Sequence, residues 1–220
     1  MSVRGEQPVS QVSQDAVTGV VLAGGRASRM GGIDKGLVPL AGRPMVEHII
    51  ERLRPQTAAL IINANRSHDC YRRYGVPVVA DRVGDYAGPL AGMASGLAAS
   101  GTEWIVTVPC DSPLVPPDLV QRLCQALARE RAELAVAEGA GRLQPVFALL
   151  PRRLLPSLEA FLAAGERKID RWYAQHRMAL ADFADVPEAF LNVNTPADRE
   201  ALEARLQGSG PAAAGSRDDE

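Results

Sequence analysis

The stretch TGVVLAGGRASRMGGIDKG, residues 18–36, decides how the rest of the chain reads. Its first part, Thr18–Ala23, is a continuous apolar run of strand length with no polar alternation. Such a run suits a strand buried on both faces, as in a parallel sheet. The chain then enters Leu22–Gly36, fifteen residues in which five glycines, Arg26, Arg29 and Lys35 meet a single acid, Asp34. Glycine loses the most freedom on ordering, so this density calls for a tight turn or a close ligand. In a parallel sheet, ligands bind outside the carboxyl ends of the strands. Backbone N–H groups bared by glycine form an anion-binding concavity there, and the three cations add positive charge. The stretch reads as a phosphate cradle at a strand end.

The commoner phosphate loops do not fit it. A Walker A loop requires Gly-Lys-Ser/Thr, whereas Lys35 follows Asp34 and precedes Gly36. A dinucleotide fingerprint, G-x-G-x-x-G, fails because Arg26 stands at the second glycine position. The simple ATPase and nicotinamide-dehydrogenase readings lose their main support.

Further runs of strand length follow at Ala59–Asn63, Val76–Ala80, Trp104–Cys110, Leu134–Ala137 and Val146–Leu150. Helical patterns separate several of them. Pro44 opens PMVEHIIERL with Met45, Ile49 and Leu53 on one stripe, and Pro117-Asp118 opens DLVQRLCQALARE with Leu119, Leu123 and Leu127 on another. Thr195-Pro196 reads as an N-cap and N1 proline before ADREALEARL. Strands alternating with helices predict an α/β fold with a mostly parallel sheet flanked by helices. Beyond about Leu143 the alternation breaks down, through LQPVFALL, PRRLLPSLEAFLAA and AGERKIDRWYAQH. This C-terminal third is expected to be either an antiparallel edge or an insertion that shapes a second substrate's pocket.

The 220 residues hold no stretch that reads as a central linker, so one domain over 17–207 is expected. Residues 1–16 and 208–220 read as a disordered leader and tail. A net charge of −2 offers no overall attraction to nucleic acid or to an anionic membrane, and no run approaches the length of a membrane span. Three cysteines, Cys70, Cys110 and Cys124, cannot all pair, lack C-x-x-C spacing and suit a reducing compartment, so a cytoplasmic location is expected. Three histidines without metal-ligand spacing argue against zinc.

Other stretches carry candidate chemistry. The run Trp104–Cys110 ends in Asp111, which a strand would place on the same sheet edge as the glycine loop. Magnesium is typically held by one or two carboxylates with substrate phosphates, so Asp111 is the best metal candidate; it could instead cap the turn that follows. Cys110 has no recognisable histidine partner and reads as a small buried strand residue rather than a nucleophile. Asn63 and Asp81 each close a strand-like segment, as ligands or as turn residues. The loop DYAGPLAGM, with Gly88 and Gly92, could admit a bulky ligand or pack a helix closely. Asn192 and Asn194, two apart, share a face in an extended chain, and Asn194 could equally be a turn residue before Thr195. Arg167 and Lys168 could bind a phosphate or be solvated charge.

The loop Leu-Ala-Gly-Gly-x₃-Arg-Met-Gly-Gly-x-Asp-Lys-Gly resembles the signature of the molybdenum cofactor guanylyltransferases. The likeness continues in order through LAGRPMVEHIIERLRPQ, IINANR, DYAGPLAGM, PCDSPLVPPDL, LQPVFAL, AGERK and FLNVNTPAD, across about 18–200. It implies a Rossmann-like, glycosyltransferase-A type fold, similar to the nucleotide-diphospho-sugar transferases. It further implies Mg²⁺-dependent transfer of GMP from GTP to molybdenum-loaded molybdopterin, with release of pyrophosphate. By that resemblance Leu22, Ala23, Gly24, Gly25, Lys35, Asn63, Asp81 and Asp111 bind GTP in the N-terminal part. Arg29, Lys35 and Asp111 serve catalysis, and Asp111 holds the metal. Gly88, Gly92, Lys168, Asn192 and Asn194 are expected beside molybdopterin in the C-terminal part. Transient contacts with the proteins that insert molybdenum and that accept the product are implied in the same way. Related cytidylyltransferases tend to read Leu-Ala-Ala-Gly in this loop. The methyl missing at Gly24 leaves room for a purine and favours GTP. The remaining alternatives are cytidylyl transfer and a non-catalytic nucleotide or cofactor carrier.

Overall fold

The computed structural model describes residues 12–24, 34–82 and 88–208. Residues 1–11 of the expected leader 1–16, residues 209–220 of the expected tail 208–220, and Gly25, Arg26 and Arg29 of the glycine loop lie outside the described residues. Gln14–Ala16 form a 3-10 turn into the first strand, and Val12 and Ala16 pack against the core.

Nine strands are described: β1 Val17–Leu22, β2 Pro39–Leu40, β3 Arg43–Pro44, β4 Ala59–Asn63, β5 Val78–Val79, β6 Trp104–Pro109, β7 Leu134–Gly139, β8 Arg142–Pro151 and β9 Met178–Asp182. Seven form one sheet in the order β5-β4-β1-β6-β8-β7-β9, and β2 and β3 pair separately. The helices are α1 Met45–Leu53, α2 His68–Arg72, α3 Pro89–Ala99, α4 Leu119–Glu130, α5 Leu155–Ala163, α6 Ile169–Tyr173 and α7 Pro196–Gly208.

The strand that opened the sequence lies between β4 and β6 and is parallel to both, with Leu22 opposite Asn63 and Pro109. Burial on both faces follows from its sequence. Val17 and Val21 face one apolar layer with Val46, Ile49 and Leu53 of α1 and Leu119, Leu123 and Leu127 of α4. Val20 faces the other, with Leu90, Met93 and Leu97 of α3, Leu158 and Leu162 of α5, and Trp172 and Tyr173 of α6. Two helical layers around a mostly parallel sheet confirm the expected α/β architecture.

The C-terminal third corrects one expectation. The antiparallel strand is not an edge: β8 sits inside the sheet, antiparallel to both β6 and β7, while β9 forms the edge beside β7. The cause is a hairpin. Ala140 and Gly141, both at positive φ (53° and 71°), reverse the chain between β7 and β8 in the left-handed manner of a tight two-residue turn. The hairpin extends β8 back to Arg142, four residues before the predicted start at Val146. The segment predicted at Val76–Ala80 keeps only Val78–Val79 as strand.

Helix α7 starts as its sequence suggests. The Thr195 hydroxyl accepts the Asp198 N–H, and Asp198 Oδ2 accepts the N–H groups of Thr195 and Asn194, which makes a reciprocal cap. These bonds hold Asp198 below the usual carboxylate range. Among the described residues no helix is long and apolar enough to cross a membrane.

Candidate active site

The carboxyl ends of β4, β1 and β6 share one edge of the sheet, as parallel pairing requires. Because β8 runs the opposite way, its first residues reach the same edge. A cavity of about 680 Å³ opens there. Of the residues singled out from sequence, Leu22, Gly24, Lys35, Asn63, Asp81, Gly88, Gly92, Asp111 and Asn192 line it.

Its centre is built around β6. Asp111 follows the strand end, and Lys35 begins a 3-10 turn, Lys35–Leu37, that leaves the glycine loop. Lys35 Nζ donates to Asp111 Oδ2 at 3.1 Å and to Asn194 Oδ1 at 2.6 Å. Both ends of the ion pair keep access to solvent, with side chains 26% and 18% exposed, so a ligand can reach them. The segment carrying the asparagines is stitched to the same place. Val193 N–H donates to the Asp111 carbonyl at 2.8 Å, and the Ser112 hydroxyl donates to Asn192 Oδ1 at 2.6 Å. Residues 80 positions apart in sequence thus frame one ammonium and one carboxylate.

Asp34, beside Lys35, takes no place in the cavity lining. Its side chain is 1% exposed, and Arg66 Nε donates to Oδ1 at 2.6 Å, which ties the glycine loop to the turn after β4. Cys110 is buried, and burial next to Asp111 pushes its thiol up to about 12, so it stays protonated at neutral pH. That removes the nucleophile reading on physical grounds.

The β4–β5 end of the cavity holds an amide–carboxylate cluster. Asn63 Nδ2 donates to Asp81 Oδ1 at 2.9 Å, and Asn65 Nδ2 donates to Asp81 Oδ2 at 2.8 Å. Asn65 Oδ1 in turn accepts the Asp81 backbone N–H at 2.8 Å. Two glycines sit against this cluster. A Cβ on Gly24 would lie 3.2 Å from Asn65 Nδ2 and 3.4 Å from Asn63 Oδ1, and one on Gly92 would collide with Asn63 Oδ1. The Gly92 position therefore belongs with Asn63. Ala23 is buried and donates its N–H to the Asn63 carbonyl at 2.8 Å.

Not every expected residue comes to the cavity. Lys168 is exposed just before α6 and is not among the lining residues, and Arg167 spends its guanidinium on the Leu162 and Glu166 carbonyls. Charge pointed to both, and the resemblance to Lys168 as well. The reading also missed two groups. Asn65 stands in IINANR, but nothing in that string shows that it faces Asp81 sixteen residues on. Arg142, Gln144 and Pro145 line the β8 side of the cavity. The Ala-Gly turn before them was the available signal for that hairpin.

Comparison with known proteins gives the family. Residues 19–180 match the MobA-like NTP transferase domain family. A molybdenum cofactor guanylyltransferase of Cupriavidus metallidurans is 54% identical over 189 residues, covering 84% of this chain and 93% of that protein. One of Shewanella pealeana is 52% identical over 186 residues, covering 84% and 93%. Among solved structures, molybdopterin-guanine dinucleotide biosynthesis protein A from Archaeoglobus fulgidus superposes with a TM-score of 0.71 at 21% identity, covering 87% of this chain and 99% of that one. A CMP:2-keto-3-deoxy-manno-octonic acid synthetase complexed with CTP gives 0.68 at 15% identity, covering 89% and 99%, a likeness of fold alone. The chain belongs to the molybdenum cofactor guanylyltransferases, within the MobA-like NTP transferase family.

Proposed function

We propose that this enzyme transfers GMP from GTP to molybdenum-loaded molybdopterin, forming the guanine dinucleotide cofactor and pyrophosphate. The observation that carries the reading is a single cavity with the Asn63–Asp81–Asn65 cluster at one end and the Lys35–Asp111 pair beside the glycine loop. A carboxylate whose oxygens are aligned by two amides keeps lone pairs to accept the adjacent N–H groups of guanine. Lys35, at the loop, neutralises phosphate charge. The N-terminal part then binds GTP and the C-terminal part the pterin.

In the reaction an oxygen of the molybdopterin phosphate forms a bond to the α-phosphorus of GTP. The bond from that phosphorus to the bridging oxygen breaks, and the electron pair leaves with pyrophosphate. A phosphate nucleophile is already ionised near neutrality, so no side chain need remove a proton. The obstacle is repulsion between two anions. Lys35 offsets it with a fixed positive charge, and the segment Asn192–Asn194 holds that charge in place. Catalysis rests on positioning and charge stabilisation, as in other phosphoryl-type transfers.

A divalent cation suits the donor set. Lys35 engages only Oδ2 of Asp111, so Oδ1 keeps its lone pairs for a hard cation. Magnesium is held by one or two carboxylates together with substrate phosphates, which matches one carboxylate at this place. Asp111 would hold Mg²⁺, which when bound would neutralise charge on the triphosphate.

The test is to incubate the purified protein with Mg²⁺, molybdopterin and GTP, CTP or ATP in turn, and to measure pyrophosphate. Release with GTP alone, dependent on the pterin, is expected. Release with CTP would indicate a cytidylyltransferase, and GTP binding without release would indicate a carrier.

A further inference from the structure

The β8 wall of the cavity has no role in the account so far, yet its shape is built. Along the β7–β8 ladder Val136 pairs with Ala148, but the next β7 residue, Ala137, pairs with Gln144. One step on β7 thus spans four on β8, and Pro145, Val146 and Phe147 bulge out of the ladder. Proline at the bulge has no N–H to contribute to pairing. Buried hydroxyls fix the loop from two sides. Thr107 of β6 donates to the Val146 carbonyl at 2.6 Å, and Tyr173 of α6 donates to the Pro145 carbonyl at 2.7 Å. Bulges beside a site commonly re-aim side chains, and this one is held too firmly to be an irregularity of pairing.

Gln144 and Arg142 flank this bulge two residues apart, and both line the cavity. Gln144 is 7% exposed, and its Nε2 donates to the Gly139 carbonyl at 3.0 Å. That bond fixes which end of the amide faces away from the turn. Oε1 accepts no hydrogen bond among the described residues, so the cavity wall presents an acceptor that is open to a ligand's donor. The Arg142 side chain forms neither an ion pair nor a hydrogen bond among the described residues. It lies at the outermost start of β8, opposite Gly139 of β7 and two residues before Gln144. The cavity therefore runs in sheet order. The Asp81 cluster stands at β4–β5, Lys35 and Asp111 at β1–β6, and an acceptor with a free cation at β8.

We propose that the bulged start of β8 is the subsite for the nucleotide acceptor, with Gln144 Oε1 taking an N–H of its flat heterocycle and Arg142 holding its anionic far end. This rests on the guanylyltransferase reading, and it names the residues that select the second substrate. A pterin supplies amide-like N–H donors and a planar face that suits an arginine fork, and its metal-bearing end is anionic. Pro145, half-buried in the cavity lining, offers an apolar contact to such a ring. The terminal phosphate would then extend toward Lys35, as the transfer requires.

The test compares the intact protein with Arg142→Ala, Arg142→Lys and Gln144→Leu. KM values for molybdopterin and GTP are read from pyrophosphate release, and molybdopterin binding is measured by equilibrium dialysis without nucleotide. Arg142→Ala is expected to raise the KM and the dialysis Kd for molybdopterin about 10-fold or more, with the GTP KM within about two-fold, and Arg142→Lys to recover part of the loss. Gln144→Leu should weaken molybdopterin in the same way, with its thermal midpoint recorded to confirm folding. Unchanged molybdopterin binding in Arg142→Ala would overturn the subsite. Absence of pyrophosphate release from the unaltered enzyme would instead overturn the transferase reading, while dialysis would still decide the subsite.

Discussion

Replacing Asn65 with Ala removes both hydrogen bonds by which its amide holds Asp81: the donation to Oδ2 and the acceptance of the backbone N–H, each 2.8 Å. Asn63 still holds Oδ1 at 2.9 Å, so the carboxylate is freed at one oxygen only. A hydrogen bond to a charged group contributes roughly 1.5–3 kcal/mol, and half-buried Asp81 regains part of that from water. A net loss of about 1–2 kcal/mol in ordering the base-reading carboxylate corresponds to a roughly 5- to 30-fold fall in kcat/KM for GTP. Asn65 stands away from Lys35 and Asp111, so the loss should appear in KM with kcat nearly unchanged. Preference for GTP over ITP, which lacks the 2-amino group, should shrink as well. Steady-state pyrophosphate release with each nucleotide measures both, and a thermal melt confirms that the variant folds. A fall in kcat at constant KM, or an unchanged GTP-to-ITP ratio with normal kinetics, would refute the role given to this cluster.

Lys35→Ala removes the ammonium that bonds both Asp111 and Asn194; losing charge-assisted contacts to phosphate should cost about 10- to 150-fold in kcat/KM, read by the same assay. Alkylation with iodoacetamide at pH 8 should label exposed Cys70 alone. Burial raises Cys110 to about 12 and Cys124 to about 11, and peptide mass mapping that finds either one modified in the native protein would contradict this. Desolvation lowers His176 below its ordinary 6.5, and the Trp172 N–H to Ser157 leaves the serine hydroxyl free to donate to His176 Nε2. The unfolded chain therefore binds the proton more readily, so this stabilisation is full above about pH 6.5 and is lost as pH falls through the folded value. Melting curves from pH 7.5 to 5 should show a decline that His176→Asn reduces; equal slopes would exclude the histidine as its source.

The parallel half of the sheet was legible because both faces of β1, β4 and β6 are covered. Double burial demands uninterrupted apolar runs, and those of β1, β4 and β6 end at the cavity. Asp111 stood out as a charge just past a strand end, and Lys35 as a cation in the glycine-rich stretch that follows another. The hairpin was not, because its turn is Ala140-Gly141 rather than the usual Asn-Gly, and β8 opens with Arg142 and Gln144, whose polarity reads as loop. Asn65 escaped notice because chain pairing across the sheet sets it beside Asp81, which a local pattern does not encode, and Arg142 and Gln144 because the β7–β8 hairpin brings them to the cavity. Lys168, whose charge and family likeness suggested a phosphate, stands exposed before α6 and is not among the residues that line the cavity.

In the proposed reaction the bond that breaks joins the α-phosphorus of GTP to the oxygen bridging to the β-phosphorus, and the α-phosphate stays with the acceptor. The most direct test supplies the enzyme, Mg²⁺ and molybdopterin with GTP labelled at the α- or the γ-phosphorus and follows each label. The α-label should appear in a pterin dinucleotide and the γ-label in pyrophosphate. Transfer of the γ-label to the pterin, or release of the γ-label as inorganic phosphate, would contradict it.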